Sequence, residues 1–395
     1  MMEVPLKHVA HVNCHSLAQS TDPEFRFLYC DVSSVENGNL TLPESEIAFA
    51  DAPSRARRVA QEQDIVMSTV RPYLKAVAQV PQCANDVVFS TGFAVLTPKQ
   101  EAVTSRFLYW ALQSDLFVAE AARWSNGVSY PAISADDLMR ITLPIPVLGM
   151  QERLARYLDV ETAKIDHLIT KQQELITLLQ ERMSAFAEDV LVKGLVLEGD
   201  ASMEQRRVKH LFKLRDKRNH RERQEVTLLS LYTQYGVRKY DEIEERTGNP
   251  VRTVEDYKCV RQGDIIVNII LAWMGSIGRS PYDGVISPAY DIWKPVEGIS
   301  SHYYHYLFRT KWFSGECYKR GKGIMMMRWR TYADQFGDIS VPFPSRQEQE
   351  HVVNLIEQEQ ARVEILIMKA RRMIALLQER RSALITAAVT GQVEV

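Results

Sequence analysis

One long amphipathic segment occurs twice in this chain, and the duplication restricts the possible folds more than any other feature. The first copy covers residues 141–194 and the second covers residues 339–391. A shift of 198 positions superposes them, so that residues 178–182 fall on the identical pentapeptide at 376–380. Five identical residues at the same phase of two predicted helices indicate an internal repeat.

Each copy begins with a Pro-x-Pro strand end and continues as a helix with an apolar residue every seven positions. A stripe of this period over about five heptads predicts a coiled coil. We assign Leu158 and its heptad repeats to position a, and Glu161 and its heptad repeats to position d. The apolar residues Ile169, Ile176, Met183, Ile367 and Ile374 lie beside the d row at position e. The residues predicted to pair are Leu158, Glu161, Ile165, Leu168, Leu175, Leu179 and Arg182 in the first helix, and Ile356, Glu359, Val363, Leu366, Met373, Leu377 and Arg380 in the second.

The charged d positions favour an antiparallel pair of helices. In that orientation Glu161 lies near Arg380 and Arg182 lies near Glu359, whereas a parallel pair would bring like charges together. The alternative is that all four side chains extend into water. At the start of the second helix, Ser345 and Glu348 form a predicted capping box.

The repeat extends into the segments that precede the helices. Residues 63–68 match residues 263–268 as a turn leading into a buried strand, and residues 105–112 match residues 301–308 as a short aromatic-rich helix. Between such anchors the two halves diverge. The sequence therefore predicts two related α+β domains with different intervening surfaces.

Composition restricts the class of protein. The net charge of −2 and the pI of about 6.5 give no bulk attraction to nucleic acid or membranes. The chain has no apolar run of membrane-spanning length, its start lacks a signal peptide's hydrophobic core, and its five cysteines follow no metal or disulfide pattern. We therefore expect a soluble protein of the reducing cytoplasm.

The chain resembles the specificity subunits of type I restriction–modification systems along its whole length. The resemblance is carried by LPIP…QERLARYLDVETAKIDHLI and VPFP…QEQEHVVNLIEQEQARVEILI, and by GDIIVN…AWMG…YDG…SPAY in the second half. It implies an α+β fold with two target-recognition domains, residues 1–146 and 196–344, and two long helices, residues 147–195 and 345–395. The helices would form an antiparallel coiled coil within a pseudo-twofold repeat.

The same resemblance implies a non-catalytic subunit that reads a bipartite, asymmetric site in double-stranded DNA. It would recruit DNA adenine methyltransferase subunits, two of them, and restriction–translocation subunits. S-adenosylmethionine, ATP and Mg²⁺ would belong to those partners, and this chain would hold no cofactor or metal. The alternative function is a coiled-coil scaffold that assembles proteins without binding DNA.

Local charge identifies candidate DNA contacts that the net charge hides. Residues 204–223 hold nine Lys and Arg against three Asp and Glu, and a second basic cluster surrounds residue 322. Basic side chains neutralise phosphates, Arg, Asn and Ser read base edges, and glycine permits close backbone approach. The predicted contacts are Arg123, Trp124, Ser125, Asn126, Gly127, Ser129, Tyr130, Trp273, Lys319, Arg320, Lys322, Gly323, Arg328, Trp329 and Arg330. The alternative is that these are ordinary solvated loops.

Catalytic and metal-binding patterns are incomplete. The segment 249–252 lacks the second proline and the aromatic residue of an adenine-methyltransferase motif, and 321–323 is not a phosphate-binding loop. His302 and His305 lie one helical turn apart, but no second ligand pair accompanies them, so helix-face side chains are favoured over zinc ligands.

Overall fold

The computed structural model describes residues 2–36, 38–82, 86–193, 204–233, 236–242, 253–323 and 329–393. The chain divides into two compact units, one formed by Met1–Gln173 with Ala370–Val395 and the other by Glu174–Lys369. Both divisions fall inside the long helices, so each unit contains one α+β domain and part of each helix. The expected domain boundary at 195–196, the segment 249–252 and Arg328 lie outside the described residues.

The elements of the first unit follow in chain order, and the last of them continues into the second unit. They are β1 (Met2–Pro5), α1 (Leu6–Val9), β2 (Ala10–Val12), β3 (His15–Ser16), β4 (Arg26–Cys30), β5 (Val35–Glu36), β6 (Asn39–Leu40), β7 (Ile47–Ala48), β8 (Ala56–Ala60), β9 (Ile65–Ser68), β10 (Val77–Gln79), β11 (Val87–Ser90), β12 (Phe93–Pro98), α2 (Ser105–Ala111), α3 (Asp115–Arg123), α4 (Ala135–Leu138), β13 (Thr142–Ile145) and α5 (Leu148–Glu188).

The remaining elements repeat much of this order, and α10 returns into the first unit. They are β14 (Gln205–Arg207), α6 (Val208–Leu211), β15 (Phe212–Leu214), β16 (Leu229–Tyr232), β17 (Gly236–Lys239), β18 (Lys258–Val260), β19 (Ile265–Asn268), β20 (Ile277–Arg279), β21 (Gly284–Ile286), β22 (Tyr290–Pro295), α7 (Ser301–Leu307), α8 (Lys311–Arg320), α9 (Ala333–Gly337), β23 (Ser340–Pro342) and α10 (Arg346–Val389).

Both units contain the same four-stranded antiparallel sheet. Its order is β10-β9-β12-β2 in the first unit and β20-β19-β22-β15 in the second. In each unit the first strand also pairs with the strand that precedes the long helix, β1 with β13 and β14 with β23. The predicted α+β internal repeat is thereby confirmed.

The turn before the central strand is built identically in the two units. Asp64 is buried and accepts a hydrogen bond from the Gln61 amide at 2.9 Å, and buried Asp264 accepts one from the Arg261 amide at 2.9 Å. Burial raises the pKa of both carboxyl groups. The residue before each aspartate has a left-handed backbone, with φ of 72° at Gln63 and 91° at Gly263. These aspartates hold the turn that aligns the sheet's central strand.

Each domain core is completed by both long helices. In the first unit Leu154 and Leu158 from the start of α5 pack in one cluster with Ile385, Ala388 and Val389 from the end of α10. In the second unit the start of α10, with Val352, Val353 and Ile356, packs in one cluster with Val190 and Leu191 just beyond α5. The start of one helix therefore meets the end of the other within each unit, and the predicted antiparallel orientation is confirmed.

The predicted heptad register is correct for a and wrong for d. The a residues Leu158, Ile165, Leu179, Ile356, Val363 and Leu377 are buried, but the d residues Leu168, Leu175, Leu366 and Met373 are 40% to 48% exposed. The second row of the interface lies one residue further on, at Thr162, Ile169, Ile176 and Met183 and at the equivalent positions of α10. The d row stays exposed because burying it would remove the charged side chains of Glu161, Arg182, Glu359 and Arg380 from water. The next row carries only one charged residue in the two helices, Arg381.

The flanking charges agree with the antiparallel prediction in one of the two expected pairs. Arg182 lies 3.8 Å from Glu359, as expected, although Glu359 also lies 3.5 Å from Arg362 on its own helix. Glu161 lies 2.6 Å from Lys164 on its own helix, and its expected pairing with Arg380 stays a prediction. The short contact along the helix needs no ordering of a side chain from the facing helix.

Arg381, which the sequence did not identify, makes the stronger cross-helix contact. Its Nε lies 2.9 Å from Asp166 Oδ1, and its guanidinium lies 5.8 Å from the Trp110 ring centroid. We expect Arg381→Ala to lower the free energy of unfolding by about 1 kcal/mol, because an ion pair, a cation–π contact and buried stem packing are lost. Arg380→Ala is the matched control, since Arg380 is exposed, and it should change the value by less than about 0.5 kcal/mol. Urea unfolding of both variants measures the difference; equal losses would contradict this role of Arg381.

Candidate nucleic-acid interface

The predicted contact residues of the first unit lie on one short, hairpin-like loop that follows α3. Two backbone hydrogen bonds close the loop, from the Asn126 amide to the Ala132 carbonyl and from the Ala132 amide to the Asn126 carbonyl, both 2.9 Å. Gly127 has φ of 108°, a conformation that favours glycine. The loop carries Ser129 and Tyr130, and its base carries Arg123, Trp124 and Ser125. The structure therefore brings the predicted residues of this unit together.

Arg71, from the turn between β9 and β10, holds the loop in place. Its amide donates to the Pro131 carbonyl at 2.7 Å, and its guanidinium donates to the Ser129 carbonyl at 3.0 Å. The guanidinium also lies 4.4 Å from the centroid of the Tyr130 ring. Arg71 could not be identified from the sequence, because its contact with Ser129 joins residues 58 positions apart and the dipeptide Arg71-Pro72 signals only a turn.

The tip of this loop exposes large side chains to solvent. Val128 is fully exposed and Tyr130 is 68% exposed, and the neighbouring turn exposes Tyr73 and Leu74. Such a protruding tip of mixed aromatic, aliphatic and arginine character can enter a groove, stack on bases or contact a thymine methyl. Arg123 is also exposed, but it lies 3.5 Å from Glu120 on its own helix.

The second unit places an equivalent loop after α8. Lys322 and Arg330 close it through two backbone hydrogen bonds of 2.9 and 3.0 Å. The Thr331 amide donates to the Ile269 carbonyl at 2.8 Å, as the Ile133 amide donates to the Thr69 carbonyl at 3.0 Å in the first unit. The two units therefore anchor these segments with equivalent backbone hydrogen bonds.

Aromatic rings support the second loop where arginine supports the first. The Trp329 ring stacks on Tyr318 with centroids 5.2 Å apart, and Trp273 packs on Tyr318 at 5.8 Å. The Trp329 indole donates to the Tyr318 carbonyl at 3.1 Å. A Cβ at Gly321 would lie 2.3 Å from the Trp329 indole nitrogen, so this close approach requires glycine. Tyr318 is 45% exposed, so part of the stack faces solvent.

Two of the predicted cations are already paired within the protein. Glu316 on α8 binds Lys319 at 2.8 Å and also binds Arg320. The hydrogen bond from Lys319 lowers the pKa of Glu316, which keeps the carboxylate charged. The expectation that Lys319 and Arg320 are free for phosphate is therefore weakened. Lys322 and Arg330 are exposed, and neither forms an ion pair within the described ranges. DNA contact by any of these residues stays a prediction.

The aromatic helix α7 belongs to the core. Tyr303 and Tyr304 are buried, and their hydroxyls donate to the carbonyls of Leu191 and Pro342 at 3.1 and 3.0 Å. His305 accepts the Arg279 amide at Nδ1, 3.1 Å away, and burial lowers its pKa to about 3. This neutral histidine caps a strand. In the described part of the chain, no group of three His, Cys, Asp or Glu side chains is placed to hold a metal.

Comparison with known proteins agrees with this architecture. Residues 60–178 match the family model described as type I restriction modification DNA specificity domain. The HindI type I restriction enzyme specificity subunit of Haemophilus influenzae is 26% identical over 192 residues, which is 46% of this chain and 37% of that protein. The match therefore spans about a third of the length of this curated relative. Across the described ranges no helix is both long and apolar enough to cross a bilayer.

Solved structures share the fold over nearly the whole chain. A chain from a study of complex assembly and conformational transition of the type I R-M system matches with a TM-score of 0.75 and 19% identity, covering 99% of this chain and 98% of that one. The HsdS subunit of Thermoanaerobacter tengcongensis matches with a TM-score of 0.55 and 20% identity, covering 99% and 97%. The chain therefore has the fold of these solved structures. Its residues 60–178 are similar to the type I restriction modification DNA specificity domain.

Proposed function

We propose that this chain is the sequence-specific DNA-recognition subunit of a type I restriction–modification complex, each unit reading one half of a bipartite, asymmetric site. One observation carries the proposal. The segments 126–132 and 322–330 are closed at their ends by equivalent backbone hydrogen bonds, yet their sequences differ. A fixed scaffold with a variable tip suits two domains that read different base sequences.

We further propose that the long helices bind the other subunits of the complex. Outside the helix–helix interface they expose large apolar side chains: Leu168, Leu175, Leu178, Ile365, Leu366, Met368, Met373 and Leu376. Apolar side chains so exposed are typical of surfaces that another protein covers. The partners would be two DNA adenine methyltransferase subunits, together with restriction–translocation subunits.

Under this proposal the chain is not itself an enzyme. S-adenosylmethionine, ATP and Mg²⁺ would belong to the partner subunits, and the methyltransferase would flip and modify the adenine. This chain's own residues would bind the duplex and position it by contacts from the two loops.

Binding to duplex DNA separates this function from that of a protein scaffold. We expect the full chain, assembled with its methyltransferase subunits, to bind a duplex carrying the methylated motif more tightly than a duplex of permuted sequence. Affinity should fall as salt rises, because phosphate contacts release counterions. Fluorescence anisotropy over a salt series measures both properties. A complex that contains this chain and binds neither duplex would favour the scaffold.

A further inference from the structure

A basic segment of the second unit, residues 215–221, is fixed along the edge of the domain. The Arg215 amide donates to the Ile292 carbonyl at 2.7 Å, the Cys259 amide donates to the Lys217 carbonyl at 2.8 Å, and the Asn219 amide donates to the Tyr257 carbonyl at 2.7 Å. These contacts give the segment the course of an added strand beside β18. Its side chains therefore project from a defined backbone.

Asn219 locks the end of this segment. It is buried, and its side-chain amide donates to the carbonyls of Arg221 and Val254 at 2.8 and 3.0 Å. Its side-chain oxygen accepts the Arg221 amide at 3.2 Å. Because the backbone at Arg221 is already ordered, a ligand that binds there needs to order only the side chains.

The segment lines an open groove of about 500 Å³ with an excess of positive charge. Five arginine and lysine side chains line it against two carboxylates, Glu225 and Asp283. Some of these cations are neutralised, since Arg215 pairs with buried Asp264 at 2.9 Å and Arg261 pairs with Asp283 at 2.6 Å.

Lys217 and Arg221 differ from the other cations of the groove. Both are exposed, and neither forms an ion pair with any residue that the structure describes. Arg218, between them, is paired with Asp216 at 2.9 Å. Two unneutralised cations therefore face solvent at fixed positions along one groove.

The first unit builds the same edge, but its outer segment carries no lysine or arginine. There β3 pairs with β8, and the Leu17 amide donates to the Arg57 carbonyl at 2.9 Å. Residues 13–25 contain no lysine or arginine. The edge is thus part of the repeated scaffold. Its arginines in the first unit, Arg57 and Arg58, lie on β8 and are half-buried, whereas Lys217 and Arg221 lie on the outer segment and are exposed.

We propose that the groove of the second unit binds the phosphates of duplex DNA through Lys217 and Arg221, and supplies sequence-independent affinity to the complex. This inference rests on the proposed DNA-recognition function and assigns part of it to one groove. Phosphate is favoured over base edges as the ligand, because the two cations are spaced along a groove and no amide or acid that would read a base is free between them.

The test compares two double variants of the full chain in the assembled complex. Lys217→Ala with Arg221→Ala removes the free cations of the groove. Lys213→Ala with Lys294→Ala is the matched control, because these two exposed lysines pair across β15 and β22 in the same unit, outside the groove lining. Both variants change the net charge equally. Circular dichroism establishes that both are folded.

We expect the groove variant to bind a fluorescein-labelled motif duplex and a permuted duplex more weakly by the same factor, on the order of tenfold. The slope of log affinity against log salt should shrink by about two, one for each lost phosphate contact, with little change in the control. Equal behaviour of the two variants would overturn the proposal. Loss confined to the motif duplex would also overturn it, by assigning base reading to the groove. If the unaltered complex binds neither duplex, the proposed function itself fails.

Discussion

Exchanging residues 1–146 for the corresponding domain of a type I specificity subunit is expected, under the proposed function, to change one half of the methylated motif and leave the other half intact. The physical reason is that each unit has its own core. Among the described residues, the apolar clusters of the first unit draw on residues 4–158, on the end of α10 and on Val393, and those of the second unit draw on residues 183–356. The loops at 126–132 and 322–330 are therefore supported independently.

The exchanged domain must fit the side chains that the end of the chain contributes to the core of the first unit. The new domain must accept Ile385, Ala388 and Val389, which belong to the core of the first unit although they lie at the end of the chain. It must also accept Thr386, whose hydroxyl receives the Asp115 amide at 2.9 Å. A donor domain with small or apolar residues at the matching surface satisfies this requirement.

Methylome sequencing of cells that carry the exchanged chain and the unaltered methyltransferase reads out the motif directly. The matched control is the reciprocal exchange of residues 196–344, which should change the other half alone. A motif altered in both halves by either exchange would contradict independent reading by the two units. Loss of all methylation with a folded chain would indicate that partner binding was damaged.

The repeat could be predicted from the sequence because it consists of short local patterns. These patterns are the pentapeptide 178–182, the Pro-x-Pro strand ends and the turns at Asp64 and Asp264. The Ser345 and Glu348 capping box is present as expected, with hydrogen bonds of 2.7 and 3.3 Å. The heptad phase was only half correct, because Leu168 and Ile169 are equally apolar. The choice between these two rows depends on which one carries charge over the whole helix.

The sequence predicted where the candidate site lies better than it predicted which residues form its contacts. The loops after α3 and α8 were identified from their Arg, Asn, Gly and Trp content. Their supports were missed, because Arg71 is remote in sequence and Glu316 neutralises Lys319 and Arg320 through spacings common to any exposed helix. The free cations Lys217 and Arg221 lie in the basic segment that the sequence identified. Only the structure separates them from their paired neighbours.

The same buried glutamine joins domain and long helix in both units. Gln151 accepts the Thr104 amide at 2.8 Å and donates to the carbonyls of Ala102 and Pro146 at 2.9 and 2.8 Å. Gln349 accepts the Ser300 amide at 2.9 Å and donates to the Pro344 carbonyl at 2.8 Å. Each side chain thereby ties the first turn of a long helix to the preceding proline and to the start of α2 or α7.

Gln349→Ala is expected to lower the free energy of unfolding by about 2–6 kcal/mol. The substitution leaves the Ser300 amide and the Pro344 carbonyl buried without a partner, at about 1–3 kcal/mol for each group, and adds a small cavity. Gln151→Ala should cause a similar loss, because the two glutamines make equivalent bonds in separate units. Gln349→Glu should also destabilise, since a carboxylate cannot donate to the Pro344 carbonyl at neutral pH.

Gln347→Ala provides the matched control, because the same side chain is removed two residues away from an exposed position of the same helix. It should change the free energy of unfolding by less than about 0.5 kcal/mol. Urea unfolding followed by circular dichroism and by tryptophan fluorescence measures all four variants, and the two probes together show whether one unit unfolds before the other. If Gln349→Ala and Gln347→Ala destabilise the chain equally, water satisfies the exposed amide and carbonyl. Gln349 would then not fix the position of the domain on its long helix.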